Sequence, residues 1–106
     1  MIVQRQRDVF LDDVVLLNIG DFRYAIIDKA QYENVAQWRW CLRKSNVCWY
    51  ICRKSITDGK ESRIYLHRFI TNAPAGKQVH HRNHNTLDNR LENLFVCSPK
   101  EHNQQA

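Results

Sequence analysis

Glycine and proline are scarce in this chain, with 3 and 2 residues among 106. With 43% hydrophobic and 25% charged residues, that scarcity excludes a collagen-like or disordered chain and implies a packed core. No run of about 18 apolar residues occurs, so no transmembrane helix is expected. The opening MIVQRQRDVF is too polar to begin a secretory signal, and no small-residue cleavage site follows an apolar stretch. The expected location is therefore cytoplasmic. No Cys-x-x-Cys pair is present among Cys41, Cys48, Cys52 and Cys97. In a reducing compartment these cysteines are expected to be buried small hydrophobes, with zinc ligation as the alternative. Internal repeats, low-complexity tracts and domain-separating linkers are absent too. A chain this short makes one domain, burying roughly 60–68% of the surface it exposes unfolded. It has no room for a nucleotide-binding domain plus a substrate domain, or for a barrel enzyme.

What the chain does have is basic charge, unevenly placed. Sixteen Lys and Arg against 11 Asp and Glu give a formal net charge of +5. Residues 39–68 hold 8 of the basic residues and only 2 acidic ones. Such a cluster is either a solvated strand face or a surface that contacts phosphates.

The hydrophobic pattern predicts mostly strands. Val14–Ile19 and Tyr24–Ile27 read as strands around a Gly20-Asp21 turn. Residues 29–38 can form one or two helical turns. Asn46–Leu66 reads as a hairpin rich in Arg and Lys, turning at Asp58-Gly59. Cys48, Tyr50 and Cys52 face one way there, and Trp49 and Ile51 the other. Leu66–Thr71 reads as a short helix, ended at Ala73-Pro74-Ala75-Gly76. Trp38, Trp40 and Trp49 are expected to be core or half-buried residues. The last third then reads as a strand ending at Val79-His80-His81, a polar loop from Arg82 to Arg90, and a strand over Asn93–Cys97. A helix follows, capped by Ser98 with Pro99 at its first position.

Here the sequence resembles the HNH endonucleases, whose site is the ββα-metal (His-Me) finger. The matching text is Val79-His80-His81-Arg82-Asn83, then Leu87-Asp88-Asn89-Arg90-Leu91-Glu92-Asn93-Leu94, then Glu101-His102-Asn103. Trp38-Arg39-Trp40 and Tyr65-Leu66-His67-Arg68-Phe69-Ile70 resemble the N-terminal part of phage homing-type members. The resemblance runs over roughly residues 15–105. It implies an α+β fold: a small antiparallel N-terminal sheet with short helices, followed by a C-terminal ββα-metal finger. It also implies one domain over 1–106, with 1–76 as a β-rich DNA-binding and supporting region and 77–106 as the catalytic motif.

The roles implied by the resemblance are specific. His81 sits at the position of the general base, taking a proton from the water that attacks phosphorus. A backbone carbonyl is expected to hold its other nitrogen. Asn93 sits at the central Asn, tying the loop to the second strand. His102 and His80 sit at the metal-ligand positions, although homing-type relatives have Asp in place of His80. Toxin nucleases of the same superfamily carry adjacent histidines there, one a ligand and the next the base. The implied cofactor is one divalent ion (Mg²⁺, Mn²⁺, Ni²⁺ or Zn²⁺), and two imidazoles favour a transition metal. The implied products carry 5′-phosphate and 3′-hydroxyl ends.

Supporting roles fall to Asp88, Asn89 and His67. Asp88 is read as closing the loop, partnered by Asn89 or by the loop backbone in an Asx-type turn, or as approaching the metal, and His67 as either a packing residue or a neighbour of the site. His84 and Asn85 are read as turn or phosphate-contact residues. Double-stranded DNA is the implied partner, held by Arg39, Arg43, Lys44, Arg53, Lys54, Lys60, Arg63, Arg68, Arg82 and Arg90. Arg90 has an alternative role, pairing with Asp88 or Glu92. A membrane partner is not expected, and monomer and homodimer both stay open. Two rival functions also stay open: a DNA-binding HNH fold that has lost catalysis, and a small zinc-stabilised binding module. A phage-encoded protein acting in a bacterial host is the context the resemblance suggests.

Overall fold

A computed structural model of the protein describes residues 8–98. Two apolar strands lay down the first layer: β2 (Val14–Gly20) and β3 (Arg23–Asp28) pair antiparallel. Val15 faces Ile27 and Leu17 faces Ala25, and all four side chains are fully buried. Their period of two is what a sheet with one buried face requires. Asp21 and Phe22 make the turn with φ of 52° and 59°, the left-handed pair that suits a twisted hairpin. A two-residue strand, β1 (Val9–Phe10), extends the edge and places Phe10 edge-on to Tyr32. It is too short to carry a legible pattern.

After β3 the chain makes a 3₁₀ turn (Lys29–Gln31) and the one-turn helix α1 (Tyr32–Val35). A second antiparallel sheet follows, built from β4 (Cys41–Ser45), β5 (Cys48–Thr57) and β6 (Lys60–Tyr65). The expected single N-terminal sheet is thus two three-stranded sheets. The expected 46–66 hairpin gains β4 as a third strand, because Leu42 pairs with Ile51 and joins its core face. Asp58 and Gly59, with φ of 53° and 76°, close the long β5–β6 hairpin.

The two sheets share one core, formed by Val15, Leu17, Ala25, Ile27, Val35, Trp40, Ile51, Leu66, Ile70 and Leu94. Trp40 is buried and its Nε1 donates to the Val35 carbonyl at 2.8 Å. Trp38 is half-buried and meets Phe69 edge-on. Trp49 departs from expectation and is 49% exposed. It shares a face with Ile51 but lies beside the β4–β5 turn, beyond the edge of the core. Cys52 and Cys97 are buried as expected, whereas Cys48 is half-buried and Cys41 exposed. Cys41 opens an edge strand on the face opposite the core.

Helix α2 (Leu66–Thr71) buries Leu66, His67 and Ile70 and ends at Asn72 in the left-handed region. Arg68 donates to the Lys77 and Pro74 carbonyls, at 2.7 and 3.0 Å. This clamp fixes the turn that feeds β7 (Gln78–His81). β7 pairs antiparallel with β8 (Leu94–Cys97), which follows a 3₁₀ turn over Leu91–Asn93. The described residues therefore form a small α+β structure, rich in sheet, in which the β7–β8 pair comes last. The expected helix from Pro99 onward lies outside the described residues. Among the described residues no helix is long and apolar enough to cross a membrane.

Candidate active site

Pleat alternation decides which histidine enters the protein. His81 pairs with Leu94 and is buried, 6% exposed, while His80 pairs with Phe95 and points to the other face. Helix α2 brings His67 to within 5.2 Å of His81, centroid to centroid. Strand β5 contributes Tyr50, whose ring lies 5.5 Å from His67 and 6.4 Å from His81. Tyr65 completes the group, 5.8 Å from His67. The sequence alone assigns Tyr50 and Tyr65 no role at this site, although Tyr65 opens a stretch that carries the resemblance. The only signal is that Tyr50 shares a strand face with Cys48 and Cys52.

The loop between β7 and β8 is a hydrogen-bonded knot of short polar side chains. Asn83 Oδ1 accepts from the Asn85 amide at 2.9 Å, and Asn85 Oδ1 accepts from the Leu87 amide at 3.1 Å. These are nested Asx turns. His84 takes a left-handed conformation, φ 63°, to let the loop reverse. The far side of the loop docks on β3, where Ile26 donates to Leu87 and accepts from Asn89. Thr86 Oγ1 also donates to the Trp49 carbonyl, tying the loop to the second sheet. Both sheets therefore position this loop.

Asn93, 5% exposed, sits at the base of the loop. Its Nδ2 donates to Asn83 Oδ1 at 2.9 Å and to the Asp88 carbonyl at 2.8 Å, and its Oδ1 accepts from the Asn83 amide at 3.0 Å. Every polar atom of the amide is committed to loop geometry. Asp88 is 3% exposed and receives Arg90 Nε and Nη2, at 2.8 and 2.7 Å, and Asn83 Nδ2, at 2.9 Å. The Arg90 hydrogen bonds hold the Asp88 carboxyl below its usual range. Arg90 also reaches Glu92 at 2.5 Å. The partners of Asp88 are thus Arg90 and Asn83, not Asn89.

Asn89 instead serves His81. Its Oδ1 lies 3.0 Å from His81 Nε2 in a buried contact. Its Nδ2 donates to the Thr86 carbonyl at 3.2 Å, which fixes the amide so that oxygen faces the imidazole. Nε2 must then carry the proton, leaving Nδ1 as the lone-pair nitrogen of a neutral ring. The expected backbone carbonyl is replaced in this role by a side-chain carbonyl, because the loop turns Asn89 inward at 1% exposure. Burial lowers the His81 pKa, helped by nearby His80 and opposed by the Asn89 bond and Asp88. Burial lowers His67 more, to about 4, with His81 and Arg68 adding to the shift. Both rings are therefore neutral near pH about 7.

His80 stands with its ring 5.4 Å from that of His84, nearly perpendicular to it. His102, the second expected ligand, lies outside the described residues. Among the described residues no three His, Cys, Asp or Glu side chains come together as a metal site. His80 offers one imidazole donor, a group whose chemistry suits a divalent transition ion.

The expected DNA-contacting residues separate into groups. Arg68 and Arg90 are engaged internally by the bonds described above. Arg53 stacks on Trp38 at 4.2 Å, and its buried Nε has no hydrogen-bond partner among the described residues. Arg82 lies over the Phe95 ring at 4.9 Å. Lys44 and Lys60 are exposed on the Arg53 side of the second sheet, and Arg39 is exposed just before it. Arg43, Lys54 and Arg63 occupy the opposite side, with Tyr50 and Tyr65.

Residues 65–104 match the family model described as HNH endonuclease. That segment begins at Tyr65 and contains His67, His81, the polar loop and Asn93. The match supports the HNH resemblance of the sequence over this segment. No curated protein and no solved structure matches the chain.

Proposed function

We propose that this HNH segment makes the protein a metal-dependent DNA endonuclease with His81 as its general base. The observation that carries the proposal is the oriented His81–Asn89 pair, 3.0 Å apart and buried. It sets the proton on Nε2 and holds Nδ1 ready to accept one. Nδ1 removes a proton from water as the water oxygen forms a bond to phosphorus, and the bond to the 3′ oxygen breaks. The 3′ oxygen leaves as an alkoxide and takes a proton from solvent, the imidazolium returns its proton to solvent, and the ends left are a 5′-phosphate and a 3′-hydroxyl. Asn93 and Asp88 act as positioning residues, since both spend their polar atoms on the loop that carries Asn89. His67 and Tyr50 shield one side of the imidazole from water. His80 and His102 are the residues that would hold the divalent ion. When bound, such an ion supplies charge stabilisation at the phosphate and the leaving oxygen.

The test is plasmid cleavage by metal-stripped protein with Mg²⁺, Mn²⁺, Ni²⁺ or Zn²⁺ restored separately. His81→Ala protein with an unchanged unfolding transition is the control. The expected result is metal-dependent nicking that the substitution abolishes. Folded protein that binds duplex DNA but cleaves in no metal would overturn the catalytic reading in favour of a DNA-binding HNH fold.

A further inference from the structure

The β5–β6 hairpin projects beyond the core. From Lys54 to Ser62 every residue but Ser55 is exposed, while the other ends of the two strands carry Tyr50 and Tyr65, half-buried beside His67. Its six-pair ladder runs from Cys52–Tyr65 out to Thr57–Lys60. The two faces differ. The inner face roots in Ile51 and Ile64 and turns Arg53 onto the Trp38 ring. The outer face carries Tyr50, Lys54, Arg63 and Tyr65, with Arg43 beside Tyr50 on β4.

One carboxylate, Glu61, shares this outer face. Glu61 Oε1 receives Lys54 Nζ at 3.0 Å. The Lys54 bond holds its carboxyl below the usual value, with Arg63 and Arg43 adding to the effect. Lys54 and Arg63 are cross-strand neighbours on this exposed face, with Arg43 further along it opposite Tyr50, and the face continues through Tyr50 and Tyr65 to His67 and His81. Only one of the three charges is balanced by Glu61. A duplex phosphate backbone, with one negative charge per about 1.7 Å of helix axis, is the ligand whose charge and repeat such a track fits. A two-stranded ribbon also has the width a major groove admits.

We propose that the outer face of the β4–β6 sheet, through Arg43, Lys54 and Arg63, is the track on which duplex DNA is held against the His81 site, with Glu61 occupying a phosphate position until DNA arrives. The proposal rests on the nucleic-acid reading above and deepens it. It selects three cations from the basic stretch and leaves Lys44, Arg53 and Lys60 out of the track.

The test is fluorescence anisotropy with a labelled duplex of arbitrary sequence, without divalent metal, over a range of salt concentrations. Arg43→Ala and Lys54→Ala are each expected to reduce the slope of log K against log[salt] by about 0.9, the value for one lost phosphate contact. Arg63→Ala is expected to do the same; Arg63→Gln serves if the alanine variant does not fold. Lys44→Ala and Lys29→Ala remove the same charge elsewhere and are expected to leave the slope unchanged. Glu61→Gln is expected to tighten binding by removing the competing carboxylate. Equal slope losses at Lys44 and Lys54 would overturn the proposal, as would unchanged slopes in all three outer-face variants. Tighter binding to a single-stranded oligonucleotide than to the duplex would overturn it in favour of a stacking platform. Nicking that depends on His81 but not on these cations would sink the track alone. DNA bound on this face but never cut would sink the catalytic reading alone.

Discussion

His67 makes the protein lose stability in mild acid, by an amount the structure allows to be worked out. The ring is 9% exposed, packed among Tyr50, Tyr65 and His81, and its pKa falls from 6.5 to about 4 on folding. Burial is the main cause, since a charged imidazole there would lose its water without gaining an anion. The unfolded chain therefore binds more protons than the folded one between pH 6.5 and about 4. Stability is fully present above pH 6.5 and declines as pH falls through that window. At about 1.36 kcal/mol per pKa unit, the total loss by pH about 4 is about 3 kcal/mol. Domains of this size are stable by about 5–15 kcal/mol, so the loss is large. Burial lowers His81 as well, which steepens the decline in the same direction. Asp88 acts elsewhere: its lowered carboxyl pKa contributes stability that disappears only below its ordinary value of 3.8.

The assay is urea unfolding followed by tryptophan fluorescence at several pH values between about 4 and 7, with the slope m checked for constancy. His67→Phe keeps a ring in the cluster and removes the titration. The wild-type midpoint is expected to fall steadily across the window, and the variant to lose much of that dependence. A variant with the full wild-type dependence would refute the assignment to His67. A wild-type midpoint that stays flat would refute the burial argument itself.

Other perturbations have equally definite outcomes. Asn89→Leu removes the acceptor that sets the His81 tautomer, so nicking should drop by about 10–100-fold while duplex affinity measured without metal stays the same. Asp88→Ala removes the acceptor of two Arg90 nitrogens and of Asn83 Nδ2 while Arg90 keeps Glu92 and solvent, and should cost about 1–3 kcal/mol in urea unfolding. Trp40→Phe removes the indole donor and leaves the Val35 carbonyl only the longer Trp38 amide contact of 3.4 Å, so it should cost about 1 kcal/mol, with no change in salt-dependent DNA binding. Ile51→Ala opens a cavity where the two sheets meet and should cost about 2–5 kcal/mol in the same assay.

Local signals along the chain settle much of this protein. The alternation in VVLLNI and YAII dictates the first hairpin, and Asp58-Gly59 dictates the second, because period-two burial and left-handed turns leave direct marks on residue choice. The order His80-His81, Asp88-Asn89-Arg90 and Asn93 marks the segment that matches the HNH family model, because the spacing is set by a loop closed on itself. Partner choice across the fold leaves no such mark. Nothing in the order of residues says that Asp88 takes Arg90 and Asn83 while Asn89 turns to His81; loop curvature and docking on Ile26 decide it. Tyr50 and His67 come from two other elements and meet His81 only because β5, α2 and β7 pack together. Composition identifies a basic stretch over residues 39–68, but a linear sequence cannot show which cations share a face with a site on another strand. Sheet register does so by placing Lys54 and Arg63 opposite one another and turning Arg53 inward onto Trp38. Side-chain identity determines which chemistry is possible, and the packing of separate elements determines which side chains can perform it together.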